Sequence, residues 1–269
     1  MRLFFCLLLS YGTLAAQDLY DLDHARRFAD YLFKSGEYGL AAEEYERVVY
    51  LAPGDATSHL HLVQAYRLGG DLRRAQARIE ALYGPADPMP MTLAGEYGRV
   101  LIGQSELAAA RRFLAGADSL PGSERLRLRV SVELLDGRWA RADSLLYGAD
   151  VATYQPWRDL AAEGLALRRT SPALAVGLSL AVPGLGKAYA GYWKDGLFSL
   201  LFTGVAAWQS YRGFRKGGID SVYGWVFAGV GTGFYIGNLY GSAKAAQKRN
   251  RQRRHNLMHR VEDMVDRAL

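Results

Sequence analysis

Apolar residues are spaced in two different ways along this chain. Between about residues 20 and 168 they alternate with charged residues at intervals of three and four, which lays one apolar stripe along a helix. After Arg168 and Arg169 the charges stop, and residues 170–186, 196–211 and 221–243 hold no Asp, Glu, Lys or Arg. Residues 256–269 return to a helical stripe, Leu257, Val261, Met264, Val265 and Leu269. The pattern predicts an all-α protein in two parts.

The first part repeats. Ala41, Ala75, Ala109 and Ala142 lie 34, 34 and 33 residues apart. Five residues before the alanine stands Gly36, Gly70 or Gly137, with Gly103 shifted by one. Three before it comes Tyr38, Leu72 or Trp139, and four after it Tyr45, Ile79, Phe113 or Leu146. In the third unit Glu106 occupies the position that should be hydrophobic. Pro53, Pro88 and Pro121 close the first three units, and the fourth has no proline until Pro156. Glycine permits the tight turn between two helices, alanine lets them touch, and the residue four further on fills the core from the same face. Proline then ends the unit. The segment KSGEYGLAAEEYERVVYLAP, residues 34–53, resembles the second half of a tetratricopeptide repeat, and the resemblance covers about residues 20–155. It implies a solenoid of helical hairpins whose first helices line a concave face that binds a protein or peptide partner. Candidate residues on that face are Arg26, Asp30 and Lys34, with Gln64, Arg67 and Arg127 at comparable positions further on. An ordinary solvated, salt-bridged helix face would show the same i, i+4 rows.

In the second part AVPGLGKAYAGYWKDG, residues 181–196, suggests a phosphate-binding loop at first sight. The Walker pattern needs glycine at 181 and Ser or Thr at 188, and both are alanine. A dinucleotide fingerprint would need glycine at 189, which is Tyr189. The three uncharged stretches predict two to three helices crossing a bilayer. On that reading Pro183-Gly184 is a turn at the membrane surface, flanked by the interfacial residues Tyr189, Tyr192, Trp193, Lys187 and Lys194, with the next helix entered at Gly196. Pro183, Gly184, Gly186, Tyr189, Trp193, Lys194 and Gly196 resemble the motif of a family of uncharacterised bacterial membrane domains of the Pro-Gly-x-Gly-x-x-Tyr type. That resemblance covers about residues 170–250 and implies a membrane module of no established activity. Gly229, Gly233, Gly237 and Gly241 recur every fourth residue and predict a helix-packing face, within the chain or toward a second copy.

Charge and cysteine content refine this outline. Net charge is +6, and the tail from Lys244 to Leu269, with eight basic residues against three acids, supplies +5 of it. The N-terminus, a basic residue, an apolar run from Leu3 to Leu9 and then small residues to Ala16, has the layout of a signal peptide. Its removal would take away Cys6, the only cysteine. The expected organisation is therefore a signal peptide (1–16), a tetratricopeptide-like domain (20–168), a small helical transmembrane module (170–243) and a basic amphipathic tail (244–269). Such a chain would sit in a bacterial cell membrane with its repeats outside the cytoplasm and its tail inside. No catalytic constellation, cofactor site or metal cluster is recognisable. His255 and His259 share a face without a third ligand, and His59 and His61 point apart. Nucleic acid is not an expected partner, since the basic tail has no interleaved aromatic platform. The expected function is a non-enzymatic interaction scaffold of the cell envelope, with protein and membrane lipid as partners. The alternative is a membrane module with its own transport, lipid or sensing role.

Overall fold

The computed structural model describes residues 21–84 and 88–269, so the expected signal peptide and Cys6 lie outside the described residues. The regular structure of the described residues is entirely helical. The chain divides into two compact units, residues 1–132 and 133–269.

In the first unit three helix pairs follow one another: α1 (Leu22–Lys34) with α2 (Tyr38–Leu51), α3 (Ala56–Leu68) with α4 (Leu72–Leu82), and α5 (Met91–Gly103) with α6 (Leu107–Gly116). Then α7 (Gly122–Leu135) runs across the division between the units. Side-chain oxygens cap two of the starts: Asp55 accepts from the Thr57 N–H at 3.1 Å, and Asp71 from the Arg74 N–H at 3.1 Å. Within each pair the turn is built the same way. A residue in the left-handed region donates its N–H to the carbonyl three residues back, and the next residue donates five back. These bonds run from Gly36 to Phe33 and Glu37 to Leu32, from Gly70 to Arg67 and Asp71 to Tyr66, and from Ser105 to Ile102 and Glu106 to Leu101.

Ser105 corrects the reading of the third repeat. Its φ of 60° puts it where Gly36 and Gly70 stand, so the third unit pivots on Ser105 and not near Gly103. Every later position moves by one. Leu107 opens α6 as Tyr38 and Leu72 open their helices, and Glu106 is merely the residue before it. Ala110, fully buried, takes the alanine position in place of Ala109, and fully buried Leu114 replaces Phe113. Around these contacts Leu32, Tyr45, Leu62, Val63, Ile79 and Leu93 form a continuous core. Burying each such leucine contributes about 1.5–3 kcal/mol.

In the second unit the same turn recurs at Gly137, ahead of α8 (Trp139–Leu145). Next comes α9 (Val151–Leu165), with the expected closing residue Pro156 inside it. Trp139 lies so close over α9 that a Cβ on Gly164 would come within 2.1 Å of its ring. Then follow α10 (Pro172–Ala181), α11 (Leu185–Tyr189), α12 (Trp193–Gly217), a 3-10 turn at Gly218–Asp220, and α13 (Val222–Ala268). At 47 residues, α13 is about 70 Å long at 1.5 Å per residue. Helices α10, α11 and α12 all pack on it. The amphipathic stripe of the tail is present, with Leu257, Val261 and Val265 buried. That part of α13 lies beside α9, where Arg260 pairs with Glu163.

The expected membrane crossings are overturned: among the described residues no helix is long and apolar enough to cross a membrane. The first uncharged stretch forms α10, ten residues or about 15 Å, half of a hydrocarbon core about 30 Å thick. Helix α12 opens on Lys194 and Asp195 and closes on Arg212, Arg215 and Lys216, and it begins at Trp193, three residues before the expected Gly196. Residues 222–243 lack charge, but six glycines together with Ser, Thr, Asn and Tyr dilute their apolar content. The placement in a cell membrane, with repeats on one side and tail on the other, is withdrawn with the spans.

Ser105→Gly is expected to raise stability by about 0.5–1 kcal/mol, since the left-handed strain of a side chain exceeds the extra unfolded-state freedom of glycine. A higher urea midpoint at unchanged slope would show it, and a lower midpoint would refute the strain assigned to Ser105.

Candidate functional site

The charged face of the leading helices is closed by its own ion pairs. Arg26 on α1 reaches Asp55 at the start of α3, Nη2 to Oδ2 at 2.7 Å. Asp30 accepts from the buried Tyr45 hydroxyl at 2.6 Å and faces His61 at 3.7 Å. On α3, the Gln64 amide and the Arg67 guanidinium both donate to Glu96 of α5, at 3.3 Å and 2.6 Å. Glu96 is only 5% exposed and also faces Arg99, which continues to Glu124 on α7 at 2.6 Å. Burying a carboxylate this far is costly unless cations and donors meet it, as they do here. Four of the six candidate residues, Arg26, Asp30, Gln64 and Arg67, are thus engaged within the unit. Lys34 and Arg127 are exposed, with no ion pair among the described residues.

Ionisation follows from these contacts. Burial, then the hydrogen bond to Asp30, pushes the Tyr45 hydroxyl well above the usual phenol range. Burial and Glu80 push Tyr97 up to about 12. Asp55 is held below the usual carboxylate range, first by the Ser58 hydroxyl at 2.6 Å and also by Arg26.

In the second unit, the motif glycines are points of backbone contact. Gly184, at φ 90°, lies against α12, and a Cβ there would come 1.9 Å from the Gly196 carbonyl oxygen. A Cβ on Gly186 would meet the Ala175 oxygen at 1.8 Å. After α11 the left-handed turn appears again, with Gly191 donating to Ala188 and Tyr192 to Lys187. Pro183 stands just before this contact. Tyr189 accepts the Ser171 N–H at 3.3 Å, and Trp193 is exposed with the Lys194 ammonium 5.8 Å from its ring centre. Of the predicted packing face, Gly229, Gly233 and Gly237 border open space, and Gly241 makes room for Lys187. The close approach of α12 to α13 uses Gly213, Gly224 and Gly231.

Beside that seam, where α10 and α11 also meet α13, stands a set of polar side chains. Ser179 and Ser242 share a buried hydrogen bond of 2.7 Å, and Ser179 also accepts the Gly186 N–H at 3.0 Å. Lys187 donates to Ser199 at 2.7 Å. Beside these lies a cavity of about 380 Å³ lined by α11, α12 and α13. Asn238 lines it while only 2% exposed, and neither its amide oxygen nor its amide nitrogen has a hydrogen-bond partner. The Thr203 hydroxyl, on α12, has none either, and like the Asn238 amide atoms it is closed off from solvent. The sequence signal was there. Asn238 is the one amide in residues 221–243 and stands seven residues beyond Gly231 and fourteen beyond Gly224. On α12 and α13, Leu201, Phe202, Trp208, Trp225 and Ile236 are more than half exposed.

Among the described residues no group of three or more His, Cys, Asp or Glu is placed to hold a metal ion. No protein-family model, curated protein or solved structure matches the chain.

Two outcomes are expected. Gly186→Ala should cost more than about 3 kcal/mol or abolish folding, since backbone must move, whereas Gly233→Ala should stabilise α13 by about 0.5–1 kcal/mol. Equal effects in chemical denaturation would refute this division of the glycines. Asp55→Ala should cost about 1–2 kcal/mol at neutral pH through loss of the cap. Because the folded carboxyl titrates below its unfolded value, its contribution is present above pH of about 3.9 and is lost as pH falls through the lower folded value. The gap between wild type and variant should therefore close in acid. A gap that stayed constant would mean that Asp55 is not held low.

Proposed function

We propose that this chain is a non-enzymatic interaction scaffold, and that its first unit is a tetratricopeptide-like array. The observation that carries this reading is the same left-handed turn, alanine contact and core position repeated from one helix pair to the next. A single pair cannot bury its apolar face, so stacking makes the core and leaves an extended surface for another chain. Most of the charge on the leading helices is used to tie one pair to the next. Of the six candidate residues, the two cations left over, Lys34 and Arg127, favour a partner segment bearing carboxylates. The apolar exterior of α12 and α13 is of the kind that marks contact with another macromolecule.

The test is photo-crosslinking in intact cells from a photoreactive residue placed at position 34 or 127. One protein should be captured reproducibly from either position, and capture from position 127 should fall by roughly tenfold in a Lys34→Glu background. Failure to recover any reproducible adduct from both positions would reject the scaffold reading.

A further inference from the structure

We propose that the basic and aromatic side chains gathered where the α11–α12 turn meets α13 form a binding surface for a single strand of nucleic acid. The inference is independent of the scaffold reading. Its starting point is charge that the fold leaves unanswered. From Lys244 to Arg254 six cations stand in eleven residues, and the sequence holds no acid between Asp220 and Glu262. Lys244, Lys248, Arg251, Arg253 and Arg254 are exposed. None of the six, Arg249 included, has a carboxylate within ion-pair distance among the described residues. Further along α13, by contrast, Arg260 is paired with Glu163. Arg168 and Arg169 extend the patch: Arg253 donates to the Arg168 carbonyl at 3.2 Å, and both arginine side chains are exposed. The one acid on the adjoining turn is Asp195, beside Lys194. Like charges so crowded repel one another, and an anionic partner relieves that repulsion.

Charge alone would suit any polyanion, and the rings narrow the choice. Tyr240, Lys244, Lys248 and Arg251 follow one another at intervals of four, four and three. That spacing places them on the side of α13 away from the buried Ala246 and spreads them over about 16 Å. After Tyr240 the tail has no aromatic residue of its own, but the fold brings rings to it. Tyr192, from the α11–α12 turn, donates its hydroxyl to Gln252 at 2.8 Å, and the Lys248 ammonium lies 5.5 Å from its ring centre. A Cβ on Gly191 would meet the Arg249 guanidinium carbon at 3.6 Å, so the turn lies against the basic stripe. Next to Tyr192, Trp193 is 61% exposed with Lys194 beside it. On α13, Tyr240 is 66% exposed, with the Lys244 ammonium 5.4 Å from its ring centre. Each ring thus stands beside a cation, the pairing that takes a base by its face and a phosphate by its charge. Unpaired bases have faces to stack on such rings. The carboxylates of an acidic peptide have none, and a duplex hides its base faces in its own stack. The fold thereby supplies the platform whose absence from the tail's own sequence argued against nucleic acid.

Fluorescence anisotropy of labelled oligothymidylate of about 20 nucleotides with the full chain tests this, at several salt concentrations. A duplex of equal length, poly-L-glutamate and anionic phospholipid vesicles serve as competitors. Oligothymidylate should bind saturably, and log affinity should fall against log salt with a slope of about −4, the value for about six phosphate contacts on a single strand. Trp193→Ala and Tyr240→Ala, both at exposed positions, should each lose roughly fivefold or more in affinity while leaving that slope and the melting temperature unchanged. Lys248→Gln and Arg251→Gln should each flatten the slope by about 0.7. The proposal is overturned if the oligonucleotide does not bind saturably at low salt or if both ring variants keep full affinity. It is overturned equally if the duplex, poly-L-glutamate or the vesicles compete more strongly than unlabelled oligothymidylate at equal concentration of charge.

Discussion

One residue in the left-handed region, placed just after a helix, reverses the chain at five points: Gly36, Gly70, Ser105, Gly137 and Gly191. Each time the same two hydrogen bonds close the helix end, from the left-handed residue to the carbonyl three back and from its neighbour to the carbonyl five back. These bonds satisfy carbonyls that the helix would otherwise leave unpaired and fix the direction in which the next helix starts. The rest follows from that direction. With the second helix returning along the first, Ala41, Ala75 and Ala110 become points of contact, and only a small side chain fits them. Glycine is the natural occupant of the turn because a Cβ there is strained. That Ser105 holds the position without distorting the bonds shows how strongly the flanking helices determine it.

Much of this was legible in the sequence. The period, the turn glycines, the contact alanines and the Pro183-Gly184 turn all have local signatures, since each rests on what one residue type can do with its own backbone. The third repeat was misread by one position because a serine in the left-handed region looks like any other serine. The face of the leading helices was legible only in part. Rows such as Arg26, Asp30 and Lys34 show that a face is polar, but not that Asp55 and Glu96 will come from other helices to neutralise it. Ion pairs across 29 residues leave no periodic trace. The membrane spans were inferred from missing charge, which is a weaker condition than apolar content sustained over enough length. Glycine, serine, threonine and tyrosine are uncharged without being strongly hydrophobic. In α12 and α13 they serve the close approach of two helices.

The buried polar groups of the charged face and of the polar seam are met differently, although each unit also holds an unpartnered one, Ser131 in the first. In the first, Glu96 is met by Gln64, Arg67 and Arg99, and the Tyr45 hydroxyl by Asp30. Such groups are satisfied at home, so they fasten one helix pair to the next and have little left for a ligand. In the second, the Ser179–Ser242 pair is satisfied likewise, but one helical turn away Asn238 is not. An unpaired buried amide costs about 1–3 kcal/mol relative to a paired one, and a leucine of similar size would avoid that cost at the same seam. Stability alone does not explain an amide at that position, beside glycines whose missing side chains keep the space open. Local rules are broken most informatively where something other than folding has to be served. By that criterion the polar seam of the second unit, and not the charged face of the first, is where this protein departs from what its fold requires.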